Sequence, residues 1–141
     1  WTSLSCDPKY GGQGMPKTVS TFFEEMLSSA SLSFKLYSEL SIGAYNCILH
    51  HADQKIKDKF LPKIVEGKWS GTMCLTESQC GTDLGLIKTK AIKNGDHYIV
   101  NGTKSFISGG GYSDVYVTMV RTGDDSPSGI STLLIEKRLR K

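Results

Sequence analysis

The sequence lacks a long apolar run, a cysteine framework and a strong net charge. No stretch approaches the roughly 18 consecutive apolar residues that a membrane-spanning helix needs, so no membrane association is expected. The four cysteines include no C-x-x-C spacing, and the first residues show neither the basic flank nor the apolar run of a secretory signal. We therefore expect reduced thiols and a cytoplasmic location.

Charge is concentrated at one end of the sequence. Of 17 basic and 14 acidic residues, four basic ones fall within the last five positions: Lys137, Arg138, Arg140 and Lys141. The remainder is close to neutral, which argues against nucleic-acid binding because phosphate neutralisation needs a cationic patch. The adjacent pair His50 and His51 points in directions about 100° apart on a helix, so no metal site is predicted.

The first half of the sequence has helical periodicity. Apolar residues recur at three- and four-residue steps over 19–30 and again over 37–48, and each set lays one stripe along a helix. A third helix is expected over 53–67, beginning at an aspartate of N-cap type, ending at a glycine, and bent or split at Pro62. These three helices predict part of a helical bundle over 1–68.

The second half, from Trp69, has the period of two that strands show. Strands are expected near 70–75, 86–93, 97–100, 103–108, 114–121 and 130–136. Two Asn-Gly pairs, at 94–95 and 101–102, favour type I′ hairpin turns between them. The predicted fold class is therefore multi-domain α and β: a partial helical bundle, then a partial antiparallel β-barrel or sandwich over 69–141.

Two glycine-bearing segments of the second half hold side chains that suit a flat ring. Thr76 and Thr82 place hydroxyls after a predicted strand end, and Gly81 permits close approach to the backbone. Phe106 and Ser108 lie on one face of a predicted strand, before a glycine run. An aromatic face beside a hydroxyl suits a heteroaromatic cofactor. On these residues alone, an ordinary loop and a core phenylalanine explain the pattern as well.

Together, the two segments resemble the acyl-CoA dehydrogenase family. That family's middle domain carries a Thr-Glu strand end, a Gly-Ser-Asp loop, an I-K-T strand, an N-G-x-K hairpin and an aromatic-Ile-Thr/Ser turn followed by glycine. The corresponding runs here are Leu75-Thr76-Glu77, Gly81-Thr82-Asp83, Ile87-Lys88-Thr89, Asn101-Gly102-Thr103-Lys104 and Phe106-Ile107-Ser108-Gly109-Gly110. Upstream, 10–12 and 59–63 resemble the family's loop before a helix and its helix end. The run over 80–91 is most similar to a bacterial subgroup like methylmercaptopropionyl-CoA dehydrogenase, which acts on short or branched thioesters.

The resemblance implies that FAD binds to the middle β domain. The residues matched to the pyrimidine side of the flavin are Met73, Leu75, Thr76, Gly81 and Thr82. Phe106, which stands where tryptophan is commoner, would lie against the ring, with Ile107 and Ser108 near its N5 edge. Thr82 would also lie near the acyl-CoA substrate.

The resemblance also implies a catalytic base that lies in a domain outside this sequence. In the family, a glutamate base of a C-terminal helical domain removes the α-proton while the β-hydride passes to flavin N5. No catalytic residue is therefore assigned here, Glu77 and Asp83 match structural positions, and the isolated chain is expected to be inactive. The parent enzyme would be a dimer or tetramer that passes electrons to an electron-transfer flavoprotein. An acyl-CoA oxidase, a nitroalkane-oxidase-like enzyme and a non-catalytic flavin-fold binding module are the alternatives.

Overall fold

The computed structural model describes residues 2–137, so Arg138, Arg140 and Lys141 of the basic terminal run lie outside the described part. A short 3-10 turn at Pro8–Tyr10 precedes three helices: α1 (Lys17–Ala30), α2 (Leu32–His51) and α3 (Gln54–Val65). The predicted helical half is confirmed. No helix within 2–137 is long and apolar enough to span a bilayer.

The ends of α3 follow from local chemistry. The Asp53 carboxylate accepts a hydrogen bond from the backbone N–H of Ile56 at 2.8 Å, which is the predicted N-cap. Gly67, at φ +73°, follows the last turn and donates its N–H to the Ile64 carbonyl. Of the two outcomes predicted at Pro62, the split is wrong, since α3 runs through it. Buried side chains on either side of the proline hold this last turn against the core.

Helices and sheet share one apolar core. It is formed by buried side chains of the N-terminal turn, α2, α3 and the central strand: Cys6, Tyr10, Tyr45, Ile48, Phe60, Leu61, Ile64, Val65 and Val115. The buried Tyr45 also accepts a hydrogen bond at its hydroxyl from the backbone N–H of Asp7, at 2.8 Å. This bond ties the N-terminal turn to α2 and leaves the polar end of the buried ring satisfied.

The second half forms an open, mixed sheet. Its strands are β1 (Gly71–Cys74), β2 (Lys90–Asn94), β3 (His97–Asn101), β4 (Val115–Arg121) and β5 (Ile130–Glu136). The central β4 pairs in parallel with β1 along its first half and with β2 at its last residue. On its other edge it pairs antiparallel with β5 along its whole length. The predicted β part is confirmed, but its sheet is mixed and open, so the prediction that all its strands pair antiparallel is wrong.

The two Asn-Gly pairs behave differently. The first joins β2 to β3 in a hairpin, but Asn94 pairs with His97, so that Gly95 at φ +63° and Asp96 form the turn. The expected type I′ turn is wrong, because it needs positive φ at both central residues and Asp96 does not have it. The second pair makes no hairpin: residues 103–108, predicted as a strand, form a loop. A period of two also fits an extended loop, which is the reason for this error.

Close packing requires a glycine at position 102, directly after β3. A Cβ built on Gly102 would collide with the side chain and Cα of Thr89, so the backbone there passes directly over the residue before β2. From this crossing the loop continues to the carboxyl end of β1.

We expect Gly102→Ala to lower the free energy of unfolding by about 1–3 kcal/mol, because the added methyl overpacks the contact with Thr89. Urea unfolding of the two proteins measures the difference. Gly111→Ala is the matched control, since a Cβ there has no neighbour within 4 Å. Equal stability of Gly102→Ala and the wild-type chain would contradict the packing argument.

Candidate functional site

Two segments far apart in sequence meet at the carboxyl end of β1. The N–H of Ser105 donates to the Thr76 carbonyl at 2.9 Å, and the Lys104 ammonium donates to the Leu75 carbonyl at 3.0 Å. The fully buried Thr72 hydroxyl donates to the Ser108 carbonyl at 2.6 Å. We call the surface formed by residues 75–82 and 104–108 the wall. It brings together the two segments that the sequence singled out.

Phe106 is the most unusual residue of the wall. It is the one described residue other than glycine with positive φ, at +57°, and its exposed fraction is 95%. A left-handed conformation at a non-glycine residue costs about 1–3 kcal/mol and persists only where the surroundings impose it. Leaving an aromatic ring in water forfeits burial energy as well. The explanation of Phe106 as a core residue is therefore wrong: the backbone holds its ring outward.

Gly81 is a glycine that the fold itself does not require. It is exposed and its φ lies outside the left-handed region, and a Cβ built there meets only the Thr76 methyl, at an ordinary 3.8 Å. Gly109, by contrast, has φ +79° and its Cβ would clash with the Ser113 hydroxyl. The free space above Gly81 is what close approach of a planar ligand needs.

The wall also carries unused hydrogen-bonding capacity. The hydroxyls of Thr76, Thr82 and Ser108 make no hydrogen bond to any residue within 2–137, and Thr82 and Ser108 are exposed. Ile107 is half-buried in the turn that starts the glycine run. Met73 is also half-buried, and it points towards α2: a Cβ on Gly43 would lie 3.5 Å from its Cγ. Met73 thus lies behind the wall rather than at its exposed face.

A buried carboxylate holds the wall together from within. Glu77 accepts hydrogen bonds from the Thr89 N–H and hydroxyl, the Lys88 N–H, the Gln79 amide and the Lys104 ammonium. Burial alone would raise the pKa of Glu77, but these donors, led by the Thr89 hydroxyl and Lys104, hold that pKa well below its usual range. Glu77 is consequently ionised and saturated with donors, so it is not available as a proton acceptor.

A second buried charge fixes the loop that leads away from the wall. The Arg121 guanidinium donates to the carbonyls of Gly85, Ile87, Asp124 and Ser126 at 2.5–3.0 Å. Sequence reasoning missed both Arg121 and the role of Lys104. Each acts on segments distant in the chain, and no local spacing signals such a contact.

The wall is an open surface. A cavity of about 270 Å³ lies between α1 and α2, and a groove of about 920 Å³ lies between the end of α2 and strands β4 and β5. Neither is lined by wall residues. Within 2–137 no cluster of three or more histidine, cysteine or acidic side chains is arranged to hold a metal ion. The wall therefore offers one side of a site, with an aromatic ring, free hydroxyls and open backbone.

A helical bundle leading into a mixed sheet with such a wall matches known proteins over nearly the whole chain. The acyl-CoA dehydrogenase N-terminal domain matches residues 1–68, and the acyl-CoA dehydrogenase middle domain matches residues 72–140. The crystal structure of an acyl-CoA dehydrogenase from Geobacillus kaustophilus superposes with a TM-score of 0.81 at 34% identity, over 96% of this chain and 36% of that one.

Curated relatives agree with this match. The mitochondrial isobutyryl-CoA dehydrogenase of Dictyostelium discoideum is 43% identical over 128 residues, which are 90% of this chain and 31% of that protein. The 3-methylmercaptopropionyl-CoA dehydrogenase of Ruegeria pomeroyi is 37% identical over 138 residues, 94% of this chain and 23% of that protein. The chain belongs to the acyl-CoA dehydrogenase family, whose members are FAD-dependent oxidoreductases, and it spans about a third or less of these relatives.

The buried carboxylate predicts a pH dependence. Because the folded-state pKa of Glu77 is lowered, its contribution to stability is fully present above the unfolded-state pKa of about 4.3 and is lost as the pH falls below that value. The difference in unfolding free energy between the wild-type chain and Glu77→Gln should be largest at pH 7 and shrink towards pH 3.

Urea unfolding at a series of pH values checks this expectation. The matched control is Glu66→Gln, whose carboxylate is half-exposed in a surface pair with Lys68; such pairs contribute little, so its difference from wild type should stay near zero throughout. A Glu77→Gln difference that does not vary with pH would show that Glu77 is not an ionised structural group.

Proposed function

We propose that this chain supplies the flavin-facing wall of an FAD-dependent acyl-CoA dehydrogenase that oxidises an acyl-CoA thioester to the trans-2-enoyl-CoA. The observation that carries the proposal is Phe106, whose ring is held outward by a strained backbone and is 95% exposed. Strain and aromatic exposure together cost stability and bring no packing in return. Contact with a flat ring explains both.

The residues of the wall fit a flavin. The Phe106 ring offers a face for stacking, and the bare backbone at Gly81 offers close approach. The unused hydroxyls of Thr76, Thr82 and Ser108 supply donors and acceptors for the polar edge of the ring. Leu75 and Ile107 complete the apolar surround, with Met73 behind it. Seven of the eight residues inferred from the resemblance therefore remain our proposed cofactor contacts, and Met73 supports the wall from the side that faces α2.

Bound FAD would supply the acceptor for the substrate's β-hydride, which carries both electrons of that C–H bond, while a base takes the α-proton. The residues of this chain orient the ring and the substrate, and they stabilise charge that develops during the reaction. Donors at Thr76 and Ser108 stabilise negative charge that develops on the ring system, Phe106 keeps water from one face, and Thr82 contacts the acyl-CoA. The base would come from elsewhere in the enzyme, as the family resemblance implies; Glu77 is saturated with donors, and the Asp83 carboxylate caps the turn by accepting the Gly85 N–H at 2.9 Å.

The substrate and partners follow from the family relationship. The names of the two curated relatives above support a short or branched acyl-CoA as substrate. An electron-transfer flavoprotein is the proposed electron acceptor, and a dimer or tetramer is the proposed assembly. These proposals concern a whole enzyme, of which this chain contributes the N-terminal and middle-domain part.

A chimera tests the activity. Because the Dictyostelium discoideum relative is about three times as long, this chain can replace the matched 128-residue segment of that protein. The purified chimera should bind FAD and reduce an electron-accepting dye with isobutyryl-CoA under anaerobic conditions. The 141-residue chain alone should give no turnover. Rapid peroxide formation in air would instead support an oxidase, and a folded chimera without FAD would contradict the proposal.

Gly81→Ala should weaken FAD binding to the chimera at least tenfold, because its methyl group occupies the space against which the ring packs. Thermal stability without FAD should change little, since that Cβ meets only the Thr76 methyl at 3.8 Å. Flavin fluorescence quenching measures the affinity. Gly111→Ala, at a position that is also exposed but lies outside the wall, should leave the FAD affinity unchanged. Equal affinities for the two variants would remove Gly81 from the site.

A further inference from the structure

We propose that Lys104 is a positioning residue, which sets the backbone of the wall for the flavin through its bond to the Leu75 carbonyl in addition to balancing the charge of Glu77. The inference rests on the proposed function. It concerns a residue that no motif assigns a role beyond its place in a hairpin, and that hairpin is not formed.

The contacts of Lys104 are buried and long-range. Its side chain is 10% exposed and that of Glu77 is 3% exposed, and the ammonium lies 2.9 Å from the carboxylate. The same ammonium donates to the Leu75 carbonyl at 3.0 Å, across 29 residues of sequence. Because its ammonium contacts both the Glu77 carboxylate and the Leu75 carbonyl, Lys104 links the end of β1 to the loop after β3.

The backbone carbonyls of two consecutive residues therefore accept hydrogen bonds from two consecutive residues of the loop. Leu75 accepts from the Lys104 side chain, and Thr76 accepts from the N–H of Ser105. With both carbonyls fixed, the peptide planes at the end of β1 cannot rotate independently, and the Thr76 side chain is oriented with them. Residues 104–108 of the loop after β3 pair with no strand, so these two bonds, the ion pair with Glu77 and the bond from Thr72 are the anchors of this stretch.

The same anchors impose the conformation of Phe106. The loop is held at Ser105 by the Thr76 carbonyl and at Ser108 by the Thr72 hydroxyl. Only two residues lie between these fixed points, and one of them, Phe106, takes the left-handed conformation. Lys104 adjoins the first fixed point, so its contacts determine where the exposed ring is presented.

Charge balance and positioning can be separated experimentally. Lys104→Met removes both the ammonium and the bond to Leu75, and it leaves the Glu77 carboxylate without its cation. Lys104→Met combined with Glu77→Gln removes the buried charge as well, but it does not restore the bond to Leu75. If Lys104 only neutralises Glu77, the double variant should recover FAD binding along with stability.

The experiment compares the chimera carrying each variant, with Lys90→Met as the control because Lys90 is an exposed lysine on β2. Three quantities are measured: the thermal midpoint, the FAD dissociation constant, and hydrogen–deuterium exchange of the peptide containing 102–108. The exchange measurement needs no bound flavin. It reports how well the amides of this stretch are protected, and the N–H of Ser105 is one of them.

We expect Lys104→Met to lower the thermal midpoint, to raise the FAD dissociation constant at least tenfold and to speed exchange over 102–108. The double variant should recover part of the midpoint, while its dissociation constant and its exchange stay raised. The control should match the wild-type chimera in all three. Where Lys104→Met does not fold, the charge-balanced double variant decides the question.

Recovery of FAD affinity in parallel with the midpoint in the double variant would overturn the proposal and leave Lys104 a charge-balancing group. Unchanged exchange over 102–108 in the double variant would overturn it as well. A wild-type chimera that folds without binding FAD would refute the proposed function, whereas the exchange measurement would still decide whether Lys104 fixes the loop.

Discussion

A carboxylate buried at the end of a strand must be compensated, and in this chain its compensation assembles the site. Glu77 is surrounded by donors from three separate parts of the sequence: the tight turn that follows it, the residues before β2, and Lys104 after β3. Leaving the Glu77 carboxylate or the Lys104 ammonium unpaired in its buried setting would cost more than a surface bond gains. Satisfying one charge therefore brings together segments that the sheet hydrogen bonds alone would leave apart.

The wall follows from this compensation in two further steps. Lys104 reaches the carboxylate only if the loop after β3 passes the end of β1, and that passage places Ser105 against the Thr76 carbonyl. Only Phe106 and Ile107 lie between that anchor and the next one at Ser108, and Phe106 takes the left-handed conformation there. The need to pair the buried Glu77 carboxylate thus helps to determine where the Phe106 ring lies on the surface.

The helices could be predicted from the sequence because their causes are local. The capping carboxylate of Asp53 and the glycine stop at Gly67 act within one turn, as does the apolar spacing. The existence of most strands was predictable for the same reason, but not their pairing, since the parallel contact of β1 with β4 joins residues 44 apart. Pro62 was misjudged because packing on both sides of it outweighs the local cost of a proline in a helix.

The same distinction between local and long-range causes applies to the site. The segments around Thr76, Gly81 and Phe106 could be found from composition and from the family resemblance, because they are runs of neighbouring residues. The left-handed φ of Phe106 and the partnership of Lys104 with Leu75 could not, since both arise from bonds between segments about 30 residues apart. The local pattern over 103–108 indicated a strand, and a strand would have placed alternate side chains on opposite faces. Only the long-range bonds make this stretch a loop, and the exposed ring depends on that difference.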